Sequence, residues 1–174
     1  NETVSKGGEY SDTRFFQTIP VVVGWHTAER AAKKENIDFK VAAFDARNKK
    51  NEPESGSFRA NLLERLESQL ASGGAPSAFA INEETNTLHY MRAIKLDQSC
   101  MLCHGDPRGE FDPDKDGKDA LGFPMEGWKV GGTHGAYEVA IPLTSVDAAV
   151  AGFVTNGLMW TIPMIVLGGL GFAW

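Results

Sequence analysis

Both cysteines of the 174-residue chain, Cys100 and Cys103, lie in the segment QSCMLCHGDP at residues 98–107, and His104 follows them directly. Cys-x-x-Cys-His is the attachment signature of c-type haem. Two thiols one helical turn apart can each add to one of the two vinyl groups on a porphyrin edge, and the adjacent histidine then lies beneath the iron. The segment therefore predicts one covalent haem c, with thioether links at Cys100 and Cys103 and His104 as an iron ligand.

Three other uses of a cysteine pair fit this segment less well. A redox-active dithiol normally opens a long helix inside a βαβ unit, whereas the residues after His104 end this helix early. A closed zinc site has a second ligand pair away from the first, and an iron–sulfur cluster held by cysteines needs four of them. Covalent haem attachment also predicts that the domain faces the periplasm, because in bacteria the reaction takes place outside the cytoplasm. Asp97 is expected to cap the short helix.

The motif does not fix the second axial ligand of the iron, because His/His, His/Met and open positions all occur in haem proteins. We favour His26, which comes from a predicted helix remote in sequence, although a helix-surface histidine fits the same pattern. His134 lies in a glycine-rich approach to a predicted strand, where a turn role fits equally well. The other candidates are His89, Met91 and Met125.

Two arginines are candidates for binding the haem propionates. Buried propionates require counter-charges, and arginine supplies them with paired donors. Arg92 is close in sequence to the attachment motif, and Arg47 opens the loop before the second predicted helix. A solvent-facing position is equally consistent with either residue.

A second metal is suggested by the segment DPDKDG, Asp112 to Gly117. It matches the first half of an EF-hand loop, with Asp112, Asp114 and Asp116 at the ligand positions. The match is incomplete, because Phe123 occupies position twelve, where a bidentate glutamate belongs. Calcium at the three aspartates is one interpretation, and a solvated acidic loop is the other.

The segments that position these groups have helical and strand periodicities in turn. Apolar residues recur at helical spacing in residues 18–36, with Thr18 as a candidate N-cap, and again from Phe58 to Leu70, before Gly73. Alternating apolar residues predict four strands, of which the second and third flank a polar turn. These strands are residues 37–46, 77–82, 87–96 and 134–143. The pattern predicts an α+β fold, an antiparallel sheet with flanking helices.

Residues 148–174 carry no charged side chain. A helix of that length rises about 40 Å and can cross a hydrocarbon core of about 30 Å. We therefore predict two regions, a haem-binding domain at residues 1–143 and one transmembrane helix at residues 144–174, with a helix start near Ser145 and a bend at Pro163. The sequence begins at Asn1 without a charged-then-apolar leader, which is expected of a processed chain or a fragment.

The charge and residue content of the chain argue against two classes of function, nucleic-acid binding and enzyme catalysis. A net charge of −6 and a pI near 5.2 repel phosphate backbones, so no nucleic-acid partner is expected. No distal His/Arg pair can be identified in the sequence, so peroxidase-like catalysis, or any other enzyme activity, is not expected.

Three runs of sequence carry a resemblance to a known family. They are ARNKKNEPE at residues 46–54, HYMRAIKLDQSCMLCHGDP at 89–107, and GKDALGFPMEGWKVGGTHGAYEVAIPL at 117–143. Together they resemble the periplasmic haem-binding sensor domains, PAS-like in fold with a single c-type haem, that head bacterial chemoreceptors and histidine kinases. The likeness spans about residues 19–143 and implies thioether links at Cys100 and Cys103, proximal ligation by His104, and a PAS-like sheet.

The sequence departs from that family in two places. Such domains typically have Pro-Arg-Asn-Pro in the loop where Ala46 and Lys49 stand here, which predicts a less rigid loop. Those receptors also continue beyond the membrane helix into a signalling coil, whereas this sequence stops at Trp174. On that ground the expected function is one-electron transfer by an inner-membrane-anchored, periplasm-facing haem protein, with other redox subunits of a membrane complex as partners. The alternative is a redox- or gas-sensing input domain.

Overall fold

The structure, a computed structural model, describes residues 13–172 of the chain. Five α-helices and four strands follow one another in this part. In chain order they are α1 (Arg14–Gln17), α2 (Pro20–Lys34), β1 (Asp38–Ala42), α3 (Phe58–Ala71), β2 (Ser77–Asn82), β3 (Thr87–Lys95), α4 (Met101–His104), β4 (Thr133–Pro142) and α5 (Thr144–Phe172). The predictions for the N-terminus at Asn1 and for the last two residues, 173 and 174, fall outside the described residues.

The four strands form one antiparallel sheet in the order β1-β4-β3-β2. Strands β2 and β3 form a hairpin, with Asn82 opposite Thr87, as the polar turn predicts. The last strand, β4, lies between β1 and β3, with Tyr137 opposite both Val41 and Arg92. A central strand that comes last in the chain brings together segments that are distant in sequence, and the candidate site is built at one end of this strand.

The core lies between one face of the sheet and helix α3. Small residues on the strands allow the helix to approach closely, and its leucines fill the space between them. The core residues are Ala42, Ala78, Met91 and Ala136 from the sheet and Leu62, Leu63 and Leu66 from the helix. Burial of each leucine stabilises the fold by roughly 1.5–3 kcal/mol. Ser57 caps the start of α3 by accepting from the Ala60 N–H at 3.2 Å, and Gly73, at φ +77°, follows the helix end.

The structure confirms the predicted α+β fold with its four-stranded antiparallel sheet and flanking helices. One local prediction is wrong: Thr18 does not cap the first long helix. Thr18 closes the preceding short helix α1, and Ile19 is the N-cap of α2, with Pro20 at the first helical position. The periodicity of residues 18–36 hides this break, because two consecutive helices present the same hydrophobic spacing.

Helix α5 begins at Thr144, two residues after β4 ends. Its segment Thr144–Ile165 is long and apolar enough to cross a membrane, with a mean hydropathy of 1.4, and none of it is buried. Asp147 lies in the first turn, where its Oδ2 accepts from Asn86 Nδ2 at 2.5 Å. The Asn86 carbonyl accepts from the Leu143 N–H at 2.9 Å, so the start of the helix is tied to the β2–β3 turn.

Candidate haem-attachment site

The attachment motif forms a compact turn directly after β3. A single 3₁₀ turn, Gln98–Cys100, leads into the one-turn helix α4. Asp97 caps it as predicted, since its Oδ1 accepts from the Ser99 N–H at 2.8 Å and from the Ser99 hydroxyl at 2.6 Å. This cap fixes the backbone of the segment that carries both cysteines.

Gly105 ends the helix immediately after His104. Its N–H donates to the Met101 carbonyl at 3.0 Å, and a Cβ at this position would lie only 2.6 Å from that oxygen. A larger residue would push the chain away from the helix, so the glycine that follows the motif is required by close packing.

The two thiols are free and half-buried on this turn. Burial, together with the negative charge of Asp119, raises the pKa of Cys103. A redox-active dithiol needs the opposite, a nucleophilic cysteine with a lowered pKa. The raised pKa of Cys103 therefore argues against dithiol exchange at this turn.

The imidazole of His104 is held on one edge and one face. Its Nδ1 lies 2.9 Å from Glu126 Oε2, and its ring stacks on Trp128 with centroids 4.1 Å apart and planes 7° from parallel. Among residues 13–172, no hydrogen bond is made to Nε2. Burial and the neighbouring Arg47 lower the pKa of His104, which keeps the ring neutral at pH 7. A neutral imidazole whose Nδ1 is engaged presents the Nε2 lone pair to a metal.

Arg47 joins the remaining parts of the site. Its guanidinium donates to both oxygens of Glu126, at 2.5 and 2.9 Å, to Asp119 Oδ2 at 2.5 Å, and to the carbonyls of Cys103 and Pro124 at 2.6 and 3.0 Å. Burial alone would lower the pKa of Arg47, but its hydrogen bonds to Glu126 and Asp119 raise it. Burial alone would raise the pKa of Glu126, but hydrogen bonds from Arg47 and His104 lower it. Both partners are therefore ionised at neutral pH.

Backbone hydrogen bonds fasten the loop that carries Glu126 to the attachment turn. The N–H of Gly127 donates to the Gly105 carbonyl at 3.0 Å, and the N–H of Trp128 donates to the His104 carbonyl at 2.8 Å. Glu126 thus lies on a segment whose backbone is hydrogen-bonded to the attachment turn. The backbone of the fold therefore holds Glu126 beside His104.

His134, at the start of β4, completes the aromatic cluster. The centroid of its ring lies 4.1 Å from that of the Trp128 ring, and the two ring planes are inclined by 33°. Burial lowers the pKa of His134, and repulsion from the protonated form of His104 lowers it further. His134 also lines a cleft of about 270 Å³ whose helical wall includes Leu66 and Leu70 of α3.

The other candidate ligands lie elsewhere in the structure. His26 is on the exposed face of α2, with 55% of its side chain accessible and Glu29 3.9 Å away. His89 Nδ1 bonds to the buried carboxylate of Glu138 at 2.7 Å, and Met91 is in the core. Met125 is buried beside Glu126. The contacts of these residues do not bear on iron binding, so ligation of the iron by His26 remains a prediction.

The two predicted propionate partners have different surroundings. Arg92 is exposed on β3, near the hydroxyl of Tyr90. Arg47 is engaged by the carboxylates and carbonyls described above, and its contact with a propionate also remains a prediction. The residues that sequence reasoning did not assign to the site are Asp119, Glu126 and Trp128, whereas His134 was among the candidate iron ligands. The available signal was the Glu126–Lys129 run, which supported the family resemblance without a role being given to it.

The donor set on this turn fits a c-type haem. Two accessible thiols share one turn, and the histidine beside them is neutral and held through Nδ1 by a carboxylate, as metal-bound histidines commonly are.

Comparisons with known proteins agree with this fold. The model of the Tll0287-like family matches residues 2–142. The chain is similar to the crystal structure of the cyanobacterial haem protein Tll0287, with a TM-score of 0.50 and 20% identity over 81% of this chain and 84% of that chain. No curated protein matches the sequence. Because the family model spans most of the chain, the protein belongs to the Tll0287-like family.

Proposed function

We propose that this protein binds one haem c covalently, through Cys100 and Cys103, with His104 as the iron ligand. The observation that carries the proposal is the hydrogen bond between His104 Nδ1 and Glu126, which leaves Nε2 for the metal. The description of Tll0287 as a haem protein adds support.

Haem c would supply a one-electron ferric/ferrous couple at this site. The side chains around His104 prepare it for ligation. Glu126 holds the ring through Nδ1 and makes it a stronger electron donor, and Trp128 limits its rotation by stacking. Arg47 fixes Glu126 by donating to both of its oxygens.

A second residue could hold the iron besides His104, and we propose His134 as a candidate alongside His26. His134 shares the Trp128 ring with His104, whereas His26 is exposed on α2. In the haem-loaded protein, His134→Ala should convert a six-coordinate low-spin absorption spectrum to a high-spin one, and His26→Ala should leave it unchanged. The reverse result would identify His26 as the ligand.

Electron transfer is the function we propose for the haem, with α5 as an inner-membrane anchor and the domain on the periplasmic side. The apolar segment Thr144–Ile165 supports the anchor, and covalent haem attachment supports the side. Other redox subunits of a membrane complex are the proposed partners, and we expect no enzyme activity of its own.

Sensing is a second candidate, favoured by one feature of the fold. Strand β4 carries His134 near its start and runs into α5 with only Leu143 between them. A shift of His134 would therefore have a continuous covalent route along β4 to the membrane helix. Rapid binding of carbon monoxide by the ferrous protein would favour this role, because a gas sensor needs an open position, whereas a six-coordinate spectrum that carbon monoxide leaves unchanged favours electron transfer.

The test of haem attachment uses the full chain, expressed in a host that attaches haem c and purified from its membranes. We expect an intact mass greater than that of the polypeptide by one haem, and a pyridine spectrum of thioether-linked haem. A Cys100→Ala/Cys103→Ala variant should lose both, and Ser99→Ala, on the same turn, should keep both. An unmodified mass for the wild-type chain would refute the proposal.

A further inference from the structure

Asp112 is a buried carboxylate with one oxygen left open. It lies in the loop between α4 and β4 and is 0% exposed. Its Oδ2 accepts from the backbone N–H groups of Arg108 and Gly117 at 2.7 and 2.8 Å, while its Oδ1 is buried and has no hydrogen-bond donor within residues 13–172. A buried anionic oxygen without a partner is costly, so its position calls for a cation.

Two further carboxylates approach the same point. Oxygens of Asp112, Asp114 and Asp116 all lie within 4.8 Å of one another, and Asp114 and Asp116 are exposed to solvent. Three negative groups at this separation repel one another unless a positive charge lies between them. Gly117 takes φ +82° and donates its N–H to Asp112 Oδ2 at 2.8 Å, so the chain turns back towards Asp112 at this point.

We propose that this loop binds one calcium ion through Asp112, Asp114 and Asp116. The ligands would be hard carboxylate oxygens at the first, third and fifth positions of the loop, with glycine at the sixth, as in an EF-hand. The hydrogen bond from the Gly117 N–H to Asp112 Oδ2 orients the carboxylate and leaves Oδ1 to the ion. Calcium fits better than magnesium, which demands near-ideal octahedral geometry and gives up its water reluctantly.

The ligands of this site predict a weak affinity for calcium. Phe123 stands where an EF-hand has a bidentate glutamate, so water must complete the coordination shell. Fewer charged ligands place the affinity near that of extracellular calcium modules, with a Kd of about 10⁻⁴–10⁻³ M.

The calcium loop also leads directly into the site around His104. The Gly117 carbonyl accepts from the Met125 N–H at 3.0 Å, and the Asp119 N–H donates to the Phe123 carbonyl at 2.9 Å. These bonds join the aspartates to the segment that carries Glu126. Calcium would therefore stabilise the loop that holds Glu126 against the imidazole.

Calorimetric titration of the full chain in detergent with calcium chloride tests the proposal. The variants are Asp114→Asn, which removes a ligand, and Glu110→Gln, which removes an exposed charge from the same loop outside the ligand set. We expect about one calcium per chain for the wild type and for Glu110→Gln, and at least a tenfold weaker affinity for Asp114→Asn. At about ten times the Kd, calcium should also lower the unfolding equilibrium constant of the wild type about elevenfold.

Three results would overturn the assignment. They are the absence of saturable binding up to about 10 mM calcium, ten times the weak end of the expected range, an equal loss of affinity in Glu110→Gln and Asp114→Asn, and binding of magnesium as tightly as calcium. Because the one ligand that is substituted, Asp114, is exposed to solvent, the variant keeps the backbone hydrogen bonds of the buried Asp112. The test needs no bound haem, so its failure is independent of the proposal about His104.

Discussion

Replacing Glu126 with glutamine tests whether the carboxylate on His104 sets the haem potential. Glutamine preserves the side-chain length and can still accept a hydrogen bond from Nδ1, but it removes the charge 2.9 Å from the ring. The negative charge stabilises ferric iron more than ferrous iron, because the ferric centre carries one more positive charge. The substitution should therefore raise the midpoint potential.

The size of the shift follows from the strength of the bond that changes. A hydrogen bond to a charged group contributes about 1.5–3 kcal/mol and a neutral one about 0.5–1.5 kcal/mol, so roughly 1 kcal/mol is lost. For a one-electron couple, about 1.4 kcal/mol and about 59 mV each correspond to a factor of ten, which gives a rise of about 40 mV. Arg47 neutralises part of the charge of Glu126, so about 40 mV is closer to an upper value than to a lower one.

Spectroelectrochemical titration of the haem-loaded chain at pH 7 measures the potential. The matched control is Glu110→Gln, an exposed carboxylate in the same loop, which should move the potential by much less because solvent and salt screen it. An unchanged or lowered potential in Glu126→Gln, or an equal rise in both variants, would refute the role of the His104–Glu126 bond.

Three further predictions concern stability and assembly. Arg47→Ala should lower the free energy of unfolding in urea by about 3 kcal/mol, because it leaves the buried carboxylate of Asp119 without its cation. The control Lys49→Ala breaks the exposed ion pair with Glu52 and should lower the same free energy by less than about 1 kcal/mol. Asp97→Ala should cost about 1 kcal/mol and lower the yield of thioether-linked haem in the pyridine assay, since the attachment turn loses its cap, whereas Asp97→Asn should keep most of both. Partial desolvation, and then the charge of Glu64, raises the pKa of Glu67 above the ordinary value of 4.5. The contribution of Glu67 to stability is therefore fully present below pH 4.5 and is lost as the pH rises through the raised pKa. Glu67→Gln should remove that decline in thermal unfolding curves, and an unchanged pH profile would contradict the raised pKa of Glu67.

The elements of this fold could be predicted because their signals are local. The hairpin of β2 and β3, the leucine spacing of α3 and the uncharged α5 each lie within one continuous segment, where periodicity and turn residues are sufficient. Helix α1 was missed because four residues give too little periodicity, and Thr18 fits the end of one helix as well as the start of the next.

The attachment turn could also be predicted, for the same reason. The two thiols, the histidine and the cap at Asp97 lie within eight consecutive residues, and their spacing alone states the chemistry. The groups that hold His104 could not be found in this way. Arg47 lies 72 residues from Asp119 and 79 from Glu126, so only the tertiary fold brings them together. Arg47 was singled out as a partner for an anion, and the anions that it meets in the structure are protein carboxylates.

The charges around His104 favour the oxidised state of a bound iron. Arg47 brings one positive charge to two carboxylates, Glu126 and Asp119, so this group of three carries a net charge of −1. The excess negative charge lies on the side of the imidazole opposite to Nε2, and it is only partly exposed, which limits screening by salt. A carboxylate-bound proximal histidine and a net negative surrounding act in the same direction, towards a low potential. A haem of low potential would pass its electron readily to an acceptor, which is consistent with the electron transfer that we propose for this domain.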